Sequence, residues 1–385
     1  MRKVPGCLVL TLALCLALLL GGCTGEEKAP AEFRVGLLLN LSDPTQAISH
    51  RLADSHVAAL NAQDGLEVAG RKIPVRLILA DTGGNIEHTM ASITRLIQQE
   101  RVSAVIGPYY SREAIPAAAA LESLRVPMIS PTATSPEVTK GRTFAFRVGL
   151  PDGQQGGALA DYAYHKLGLR RVAVLYEESD AYSSGISRFF GTAFAAHPGA
   201  SVVMEPYHAE AKDFHPQLAR IVSAGARAIF MPNYKNDLTM QVRQARAAGF
   251  NGQFLGPDSW SPAHALHALP EAQGALFCSN YSAAAADQKL LAQAQALADK
   301  AGVTLDQNGV LALDALDLLF TAAKNVGSTD PVSLRSGLAA IRQHRGISAV
   351  LDYSGGTGDP VRSIYLMGLE GGQVALRATL NPLGK

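Results

Sequence analysis

The chain of 385 residues has few of the residues and motifs on which covalent chemistry depends. It has four cysteines and one tryptophan, and it contains no low-complexity tract. The motifs G-x-S-x-G, H-E-x-x-H and G-x-x-x-x-G-K-[ST] do not occur in the sequence. The pairs His264 with His267 and His208 with His215 lack a third ligand in an evident place, so we expect no zinc site. These absences argue against an enzyme.

Charge of neither sign dominates the sequence. The chain has 34 lysines and arginines against 33 aspartates and glutamates, and no polybasic patch stands out. Nucleic-acid binding depends on clustered lysine and arginine, so nucleic acid is not an expected partner. The length suits two lobes better than one core.

The one long hydrophobic run lies near the start of the sequence. Leu8–Leu20 follows two basic residues and is apolar apart from one threonine. It is too short to cross a bilayer but fits the core of a signal peptide. The following residues complete the sequence LGGC, which resembles a bacterial lipobox. We therefore expect residues 1–22 to be a lipoprotein signal peptide, Cys23 to carry the lipid and residues 23–32 to be a tether. An ordinary secretory signal with a chance cysteine is the alternative.

Removal of that signal would leave the protein with few cysteines. Cys7 and Cys15 lie inside the predicted signal, so Cys278 would be the only thiol beside the lipidated Cys23. An internal disulfide is therefore not expected.

Apolar runs of strand length alternate with segments of helical periodicity through most of the sequence. Strands are predicted at residues 33–39, 73–80, 103–106, 127–129, 171–176, 202–207, 226–231 and 253–255, and helices at 48–62, 86–100, 113–124, 156–167, 186–196, 216–224 and 237–248. This alternation predicts an α/β protein whose parallel sheets have helices on both faces. The order restarts after residue 150, which indicates two such sheets.

Hydroxyl side chains cluster where two of these strands end. The sequence VIGPYYS ends at Ser111, and MISPTATSPE begins at Met128. The second half has a similar order in RAIFMPNY and QFLGPDSW. Ligands of open parallel sheets bind beyond the carboxyl ends of the strands. Four loops are therefore expected to line one cleft: Tyr109–Ser111, Ser130–Thr134, Asn233–Tyr234 and Gly256–Trp260.

Two of these residues fit the two ends of a zwitterion. Ser111 opens a predicted helix, where its hydroxyl and the N–H groups of the first turn would bind a small anion. Asp258, from the other half, would accept a charge-assisted hydrogen bond from an ammonium group. Structural roles stay open beside these: a helix cap for Ser111, a turn residue for Asp258, half-buried core for Tyr182 and Tyr234, and packing for Trp260.

The stretches VIGPYYSREAIPAAAALESLRVPMISPTATSPEVT and VRQARAAGFNGQFLGPDSW resemble the leucine/isoleucine/valine-binding proteins. These are the type I periplasmic substrate-binding proteins of ABC importers. The resemblance spans roughly residues 33–370 and implies two Rossmann-like lobes that close on a ligand. It places three hinge crossings near residues 150, 281 and 350, with lobe 1 at 33–150 and 282–350 and lobe 2 at 151–281 and 351–385.

The resemblance also implies roles for single residues. Ser111 would hold the ligand α-carboxylate, and Asp258 would pair with the α-ammonium. Further ligand contacts are implied for Thr132, Thr134, Tyr182 and Tyr234, and candidate pocket walls are Ile48, Tyr109, Tyr110 and Trp260.

The sequence departs from the family pattern at two places. Asp258 stands where amino-acid binders usually have glutamate, so the ammonium would sit deeper or meet a bridging water. Tyr109 and Tyr110 replace smaller residues beside the serine, which argues against a simple leucine pocket.

These observations predict an extracytoplasmic, lipid-anchored, monomeric substrate-binding protein without a cofactor. It would bind a small amino acid, branched-chain or related, and deliver it to an ABC permease. The alternatives are a ligand-sensing receptor, and a binder of an amide or an aromatic acid.

Overall fold

The computed structural model describes residues 32–261 and 264–380. The predicted signal peptide, Cys23 and all of the predicted tether except Glu32 lie outside the described residues. Among the described residues, no helix is long and apolar enough to cross a membrane.

Two large β-sheets organise this part of the chain, and two short hairpins accompany them. The strands in chain order are β1 (Phe33–Leu39), β2 (Leu66–Val68), β3 (Arg71–Ile73), β4 (Val75–Asp81), β5 (Ala104–Ile106), β6 (Met128–Ser130), β7 (Ala145–Arg147), β8 (Arg171–Glu177), β9 (Ser201–Tyr207), β10 (Ala228–Phe230), β11 (Gln253–Gly256), β12 (Leu276–Ser279), β13 (His344–Arg345), β14 (Val350–Leu351), β15 (Ile364–Glu370) and β16 (Gln373–Leu380). The first sheet has the order β4-β1-β5-β6-β7, and all its pairings are parallel. The second has the order β16-β15-β12-β11-β10-β8-β9.

The second sheet is parallel from β12 to β9 and antiparallel at β15 and β16. The predicted α/β class with two parallel, Rossmann-like sheets is therefore confirmed, but this antiparallel edge was not predicted. Gly371 and Gly372 have φ values of 57° and 77° and connect β15 to β16, because a tight hairpin needs positive φ.

Helices cover both faces of each sheet. In chain order they are α1 (Pro44–Asn61), α2 (Ile86–Gln98), α3 (Ser111–Leu124), α4 (Asp152–His165), α5 (Ala181–Ala195), α6 (His215–Ser223), α7 (Lys235–Ala247), α8 (His264–His267), α9 (Gln288–Ala301), α10 (Gln307–Val326) and α11 (Pro331–Ala340). Strand β1 shows why two layers form: Phe33, Val35 and Leu37 enter one core with α1, α10 and α11, whereas Leu38 enters another with α2 and α3. Strand β8 alternates in the same way between a core with α6 and α7 and a core with α4 and α5.

We call the first sheet with α1–α3 and α9–α11 the first lobe, and the second sheet with α4–α7 the second lobe. The chain passes between the lobes three times: after β7, after β12 and after β14. Arg362 lies on the third crossing and is 3% exposed. Its guanidinium donates to the carbonyl oxygen of Val148 on the first crossing, at 2.7 Å, and to that of Asn280 on the second. One buried cation therefore connects all three crossings.

Three aspartates fix where helices begin at the interface of the lobes. Asp43 caps α1 by accepting from the backbone N–H of Thr45, at 3.0 Å. Asp180 caps α5, and Asp306 caps α10, by the same kind of bond. An aspartate at this position satisfies N–H groups that the helix itself leaves unpaired. The first turns of these helices thus occupy fixed positions between the lobes.

Candidate functional site

A cavity of about 570 Å³, which includes space open to solvent, lies between the lobes. Loops after β5, β6, β10 and β11 contribute to its wall, as do the first turns of α1, α5 and α10. All six residues predicted to contact a ligand line it: Ser111, Thr132, Thr134, Tyr182, Tyr234 and Asp258. Tyr109 and Tyr110, two of the candidate walls, line it as well. Binding by these residues remains a prediction, but the fold brings them to one place.

Two candidate wall residues, Trp260 and Ile48, are not among the described residues that line the cavity. The Trp260 side chain is fully buried in the core of the second lobe, where its Nε1 donates to the carbonyl of Met231 at 2.8 Å. It lies so close to Gly256 that a Cβ there would come within 2.1 Å of the indole ring. Residues 258–260 form a 3₁₀ turn, in which positions two apart point in different directions. Ile48 packs among apolar residues of α1, α9 and α10.

Two hydroxyls after β6 tie neighbouring loops together. Ser130 Oγ donates to the carbonyl of Pro108 at 2.6 Å, and Thr132 Oγ1 donates to the carbonyl of Tyr109 at 2.7 Å. Both carbonyls belong to the loop after β5. The hydroxyl of Thr132 has therefore used its proton, and only its oxygen lone pairs and its backbone could meet a ligand.

Ser111 is the first residue of α3, and Tyr110 occupies the cap position without a side-chain cap bond. The Ser111 oxygen accepts a hydrogen bond from the backbone N–H of Ser135, at 3.2 Å. Ser111 is therefore not the helix cap. No described residue accepts the Ser111 hydroxyl proton, and this group lines the cavity beside the N-terminus of a helix. Such a position favours a small anion.

The Asp258 carboxylate is buried and surrounded by neutral donors. Its Oδ1 accepts from Gln155 Nε2 at 3.0 Å and from the Tyr182 hydroxyl at 3.2 Å, and its Oδ2 accepts from Asn280 Nδ2 at 2.8 Å. Burial raises the pKa of Asp258, and these hydrogen bonds oppose that rise. None of the ion pairs between described residues includes Asp258. The neutral donors fix the carboxylate at the cavity wall. The buried Arg362 guanidinium interacts with its charge electrostatically but forms no ion pair with it, so no cation is in contact with the carboxylate.

Three residues that hold Asp258 in place were not predicted. Gln155 also accepts from the backbone N–H of Asp258, at 3.1 Å. Gln307 accepts from the backbone N–H of Asn280 at 2.8 Å and donates to the Asp258 carbonyl at 3.4 Å. Asn280 directly follows β12, so the strand-end rule would have found it had that strand been recognised. Gln155 and Gln307 lie in first turns of helices, where no sequence pattern marks them.

Arg147 holds the hydroxyl-rich loop after β6 in place through buried hydrogen bonds. Its side chain is fully buried, and it donates to the carbonyls of Ala133 at 2.7 Å and Ser135 at 2.8 Å. It also forms an ion pair with Asp359 on the third crossing, at 2.6 Å. The loop that carries Thr132 and Thr134 is thereby anchored to the connection between the lobes.

Tyr110 and Tyr234 both line the cavity and meet from opposite lobes. Their ring centroids lie 5.0 Å apart at an interplanar angle of 75°, an edge-to-face contact. Tyr182 lies 5.3 Å from Tyr234 on the inner side. The Tyr110 hydroxyl donates to Asp43. This aromatic contact joins the two lobes at the cavity wall.

Asp152 is a second buried acid near the site. It is the first residue of α4, and neither of its carboxyl oxygens makes a hydrogen bond of ordinary geometry with a described residue. Burial raises the pKa of Asp152 to about 8, and the charge of Asp258 adds to the rise, whereas Thr134 and Arg147 oppose it. Asp152 is therefore mostly protonated at neutral pH.

The raised pKa of Asp152 predicts a pH-dependent stability. The unfolded chain loses this proton near pH 3.8, but the folded protein keeps it to about pH 8. Between these values the folded state binds more protons, so the free energy of unfolding falls as pH rises, by up to about 1.4 kcal/mol per unit. Asp152→Asn cannot ionise and should gain stability over the wild type between pH 5 and pH 8, measured by urea unfolding. Asp299→Asn, at an exposed site, is the control, and an equal effect of Asp152→Asn at both pH values would refute the expectation.

The described residues include no group of three or more His, Cys, Asp or Glu side chains that could hold a metal ion. At one end of the site, Ser111 and the first turn of α3 offer hydrogen-bond donors, and at the other end Asp258 offers a carboxylate that forms no ion pair. Four tyrosines lie along the walls. This arrangement can bind a small molecule that carries opposite charges.

Comparisons with known proteins agree with this description. A family model described as periplasmic binding protein matches residues 32–373. The Leu/Ile/Val-binding protein BraC3 of Rhizobium johnstonii is 26% identical over 325 residues, which cover 83% of this chain and 87% of that protein. The crystal structure of a leucine-binding protein, LivK, from Thermotoga maritima has a TM-score of 0.81 at 28% identity and covers 91% of this chain and 99% of its own. A solute-binding protein from R. palustris in complex with benzoate shares the fold, with a TM-score of 0.77 at 22% identity over 90% of this chain and 96% of that one. The chain belongs to the periplasmic binding protein family.

Proposed function

We propose that this protein binds a small α-amino acid between its lobes and delivers it to the permease of an ABC importer. The observation that carries the proposal is Asp258, a buried carboxylate at the cavity wall whose hydrogen-bond partners are all neutral. A ligand ammonium would supply a cation in contact with this carboxylate, which Arg362 reaches only through a longer-range electrostatic interaction. Ser111 and the first turn of α3 would receive the ligand carboxylate.

The placement of these two groups on different lobes has a mechanical consequence. Ser111 belongs to the first lobe and Asp258 to the second, so a zwitterion bridges the lobes only when they are close together. Ligand binding would therefore favour the closed arrangement, in which Tyr110 meets Tyr234.

An aromatic acid is the second candidate ligand, because four tyrosine rings line the cavity. The benzoate complex of an R. palustris relative shows that this fold can accept such a ligand. A benzoate would satisfy the donors near Ser111 but would place no cation in contact with the buried Asp258 carboxylate. Burying a carboxylate without a cation in contact costs several kcal/mol in free energy. An amino acid, which brings an ammonium group, is therefore the better fit.

The cellular setting of the proposal follows from the family and from the start of the sequence. We place the protein outside the cytoplasm, attached to a membrane through lipid on Cys23, as a monomer without enzymatic activity. Labelled-palmitate incorporation into the wild type, and its loss in Cys23→Ser, tests the anchor. A ligand-sensing receptor would use the same cavity, and neighbouring genes for a permease and an ATPase would separate transport from sensing.

The ligand proposal is tested by a thermal-shift screen of the mature protein against L-amino acids, amides and aromatic acids. At 100 times its dissociation constant a ligand stabilises the folded protein by about 2.7 kcal/mol, which a melting curve resolves. Small-angle scattering with the best ligand should then show a smaller radius of gyration. A screen in which only aromatic acids or amides raise the Tm would overturn the amino-acid assignment.

A further inference from the structure

We infer that the ligand has a short, polar, uncharged side chain, bearing a hydroxyl or a carboxamide, and that Asn308 selects it. This inference rests on the proposed function, because Ser111 and Asp258 must hold the two charged groups. The ligand side chain would then face the remaining wall, which the first lobe supplies through Thr45, Gln46 and Asn308.

This wall offers little to an aliphatic side chain. Of the described residues that line the cavity, only Ala133 has an aliphatic side chain. The apolar surface comes from tyrosine rings, and Tyr109 and Tyr110 fill space beside Ser111 with two large side chains. Tyr109 is 2% exposed and packs in the core of the first lobe, so it cannot readily move aside. The space left for a ligand side chain is therefore short.

A hydrogen-bond network fixes the polar groups of the wall. Asp43 accepts from the Thr45 hydroxyl at 2.9 Å and from the Tyr110 hydroxyl. Gln46 accepts from the backbone N–H of Asn40 at 2.8 Å. These side chains are thus held in place before any ligand binds, and they cannot turn away to make room for methyl groups.

The Asn308 side chain has its carbonyl oxygen and one of its two amide hydrogens left over. Its Nδ2 donates to Thr45 Oγ1 at 3.1 Å, and no described residue donates to its carbonyl oxygen. The side chain is 8% exposed and lines the cavity. A ligand hydroxyl or carboxamide N–H could donate to this oxygen. A methyl group in the same place would remove water from it and return no hydrogen bond, a loss of affinity of about tenfold or more.

Charge argues against an acidic side chain, because the negative charge of Asp43 lies directly behind Thr45 and Tyr110. Asp43 is not among the described residues that line the cavity, because Thr45 and Tyr110 stand between, so it offers no carboxylate in contact with a cationic ligand side chain. The network therefore favours a neutral donor.

Two pairs of nearly isosteric ligands test the inference on the unaltered mature protein. Threonine and valine differ by a hydroxyl in place of a methyl group, and asparagine and leucine differ by a carboxamide in place of an isopropyl group. Calorimetry should show threonine, asparagine or both binding at least tenfold more tightly than the apolar partner. Equal or tighter binding of valine and leucine, or tightest binding of glutamate or arginine, would overturn the inference and leave the proposed function standing. Failure of every amino acid to bind would remove both.

A variant then assigns the selection to Asn308. Asn308→Leu should reduce the polar-to-apolar affinity ratio by at least tenfold, whereas Asn325→Leu should leave it unchanged. Asn325 is exposed near the other end of α10. Asn325→Leu is therefore the same substitution on the same helix, but away from the cavity. An unchanged ratio in a folded Asn308→Leu protein would exclude this residue, and the comparison of ligands on the wild type stands even if the variant does not fold.

Discussion

Asp258→Asn is expected to weaken the binding of an α-amino acid by two orders of magnitude or more. Asn280 Nδ2 and Gln155 Nε2 both donate to the Asp258 carboxylate. Removing one partner of a buried charge pair costs about 3–5 kcal/mol, and each factor of ten in affinity is about 1.4 kcal/mol. The asparagine would lose the charge and would also point an N–H group at one of these donors. The Asn280 amide cannot turn to help, because its oxygen accepts from the Leu150 N–H at 2.8 Å.

The measurement is calorimetry of wild type and variant with the amino acid and with its deaminated analogue. The analogue has the carboxylate but no ammonium, so Asp258→Asn should change its affinity by less than tenfold or improve it. Melting curves of both proteins without ligand show that the variant is folded. If the amino acid binds Asp258→Asn as tightly as the wild type, Asp258 has only a structural role and the amino-acid proposal loses its main support.

Arg147→Met is expected to have the largest effect on stability, a loss of about 4 kcal/mol in the free energy of unfolding. Methionine fills much of the same volume but donates no hydrogen bond. The Ala133 carbonyl would be left without a donor in a buried environment, and the Ser135 carbonyl would keep only the backbone N–H of Val138. A hydrogen bond to a charged group contributes about 1.5–3 kcal/mol, and two would be lost here. Asp359, which lies on the third crossing, would also lose its ion-pair partner.

Urea unfolding measures this loss, and Arg170→Met provides the matched control. Arg170 also donates to two backbone carbonyls, those of Tyr164 and Leu169, but it is exposed. Water can replace its hydrogen bonds, so we expect a change of less than about 1 kcal/mol there. Because Arg147 anchors the loop after β6, ligand affinity should fall as well. Equal losses for the two variants would show that burial of Arg147 contributes little.

The sequence predicted eight of the twelve strands in the two large sheets, because strands buried on two faces are apolar at almost every position, and it missed β7, β12, β15 and β16. Strand β1 was predicted at its observed bounds, Phe33–Leu39. Helices that face the cavity were predicted to start too late: α1 begins at Pro44 rather than at residue 48, and α5 at Ala181 rather than at residue 186. Their first turns face the cavity instead of a core, so the apolar periodicity begins only one turn later.

The same cause divides the site residues into those that were predicted and those that were not. Ser111 and Asp258 follow strands, and the end of a strand is visible in a sequence. Gln46 and Gln155 lie in first turns that the periodicity did not include, and Asn308 lies in α10, for which no helix was predicted. Nothing in their neighbourhood marks them as polar groups of a cavity. The long-range bonds of Arg147 and Arg362 connect distant parts of the chain, and no local pattern indicates such partners.

The three crossings also determine when each lobe can be completed during folding. Phe33, in the first strand, packs edge-on against Phe320 of α10 at a centroid distance of 6.3 Å. Leu311 and Leu338, from α10 and α11, belong to the same core. A chain that has reached only the end of β7 therefore has this apolar face of its first sheet covered by α1 but not yet by α10 and α11. Contacts between residues so far apart in sequence close slowly, so neither lobe can mature as an independent early unit. The second sheet likewise lacks β15 and β16 until the end of the chain, so we expect the cores of both lobes to be completed late in folding.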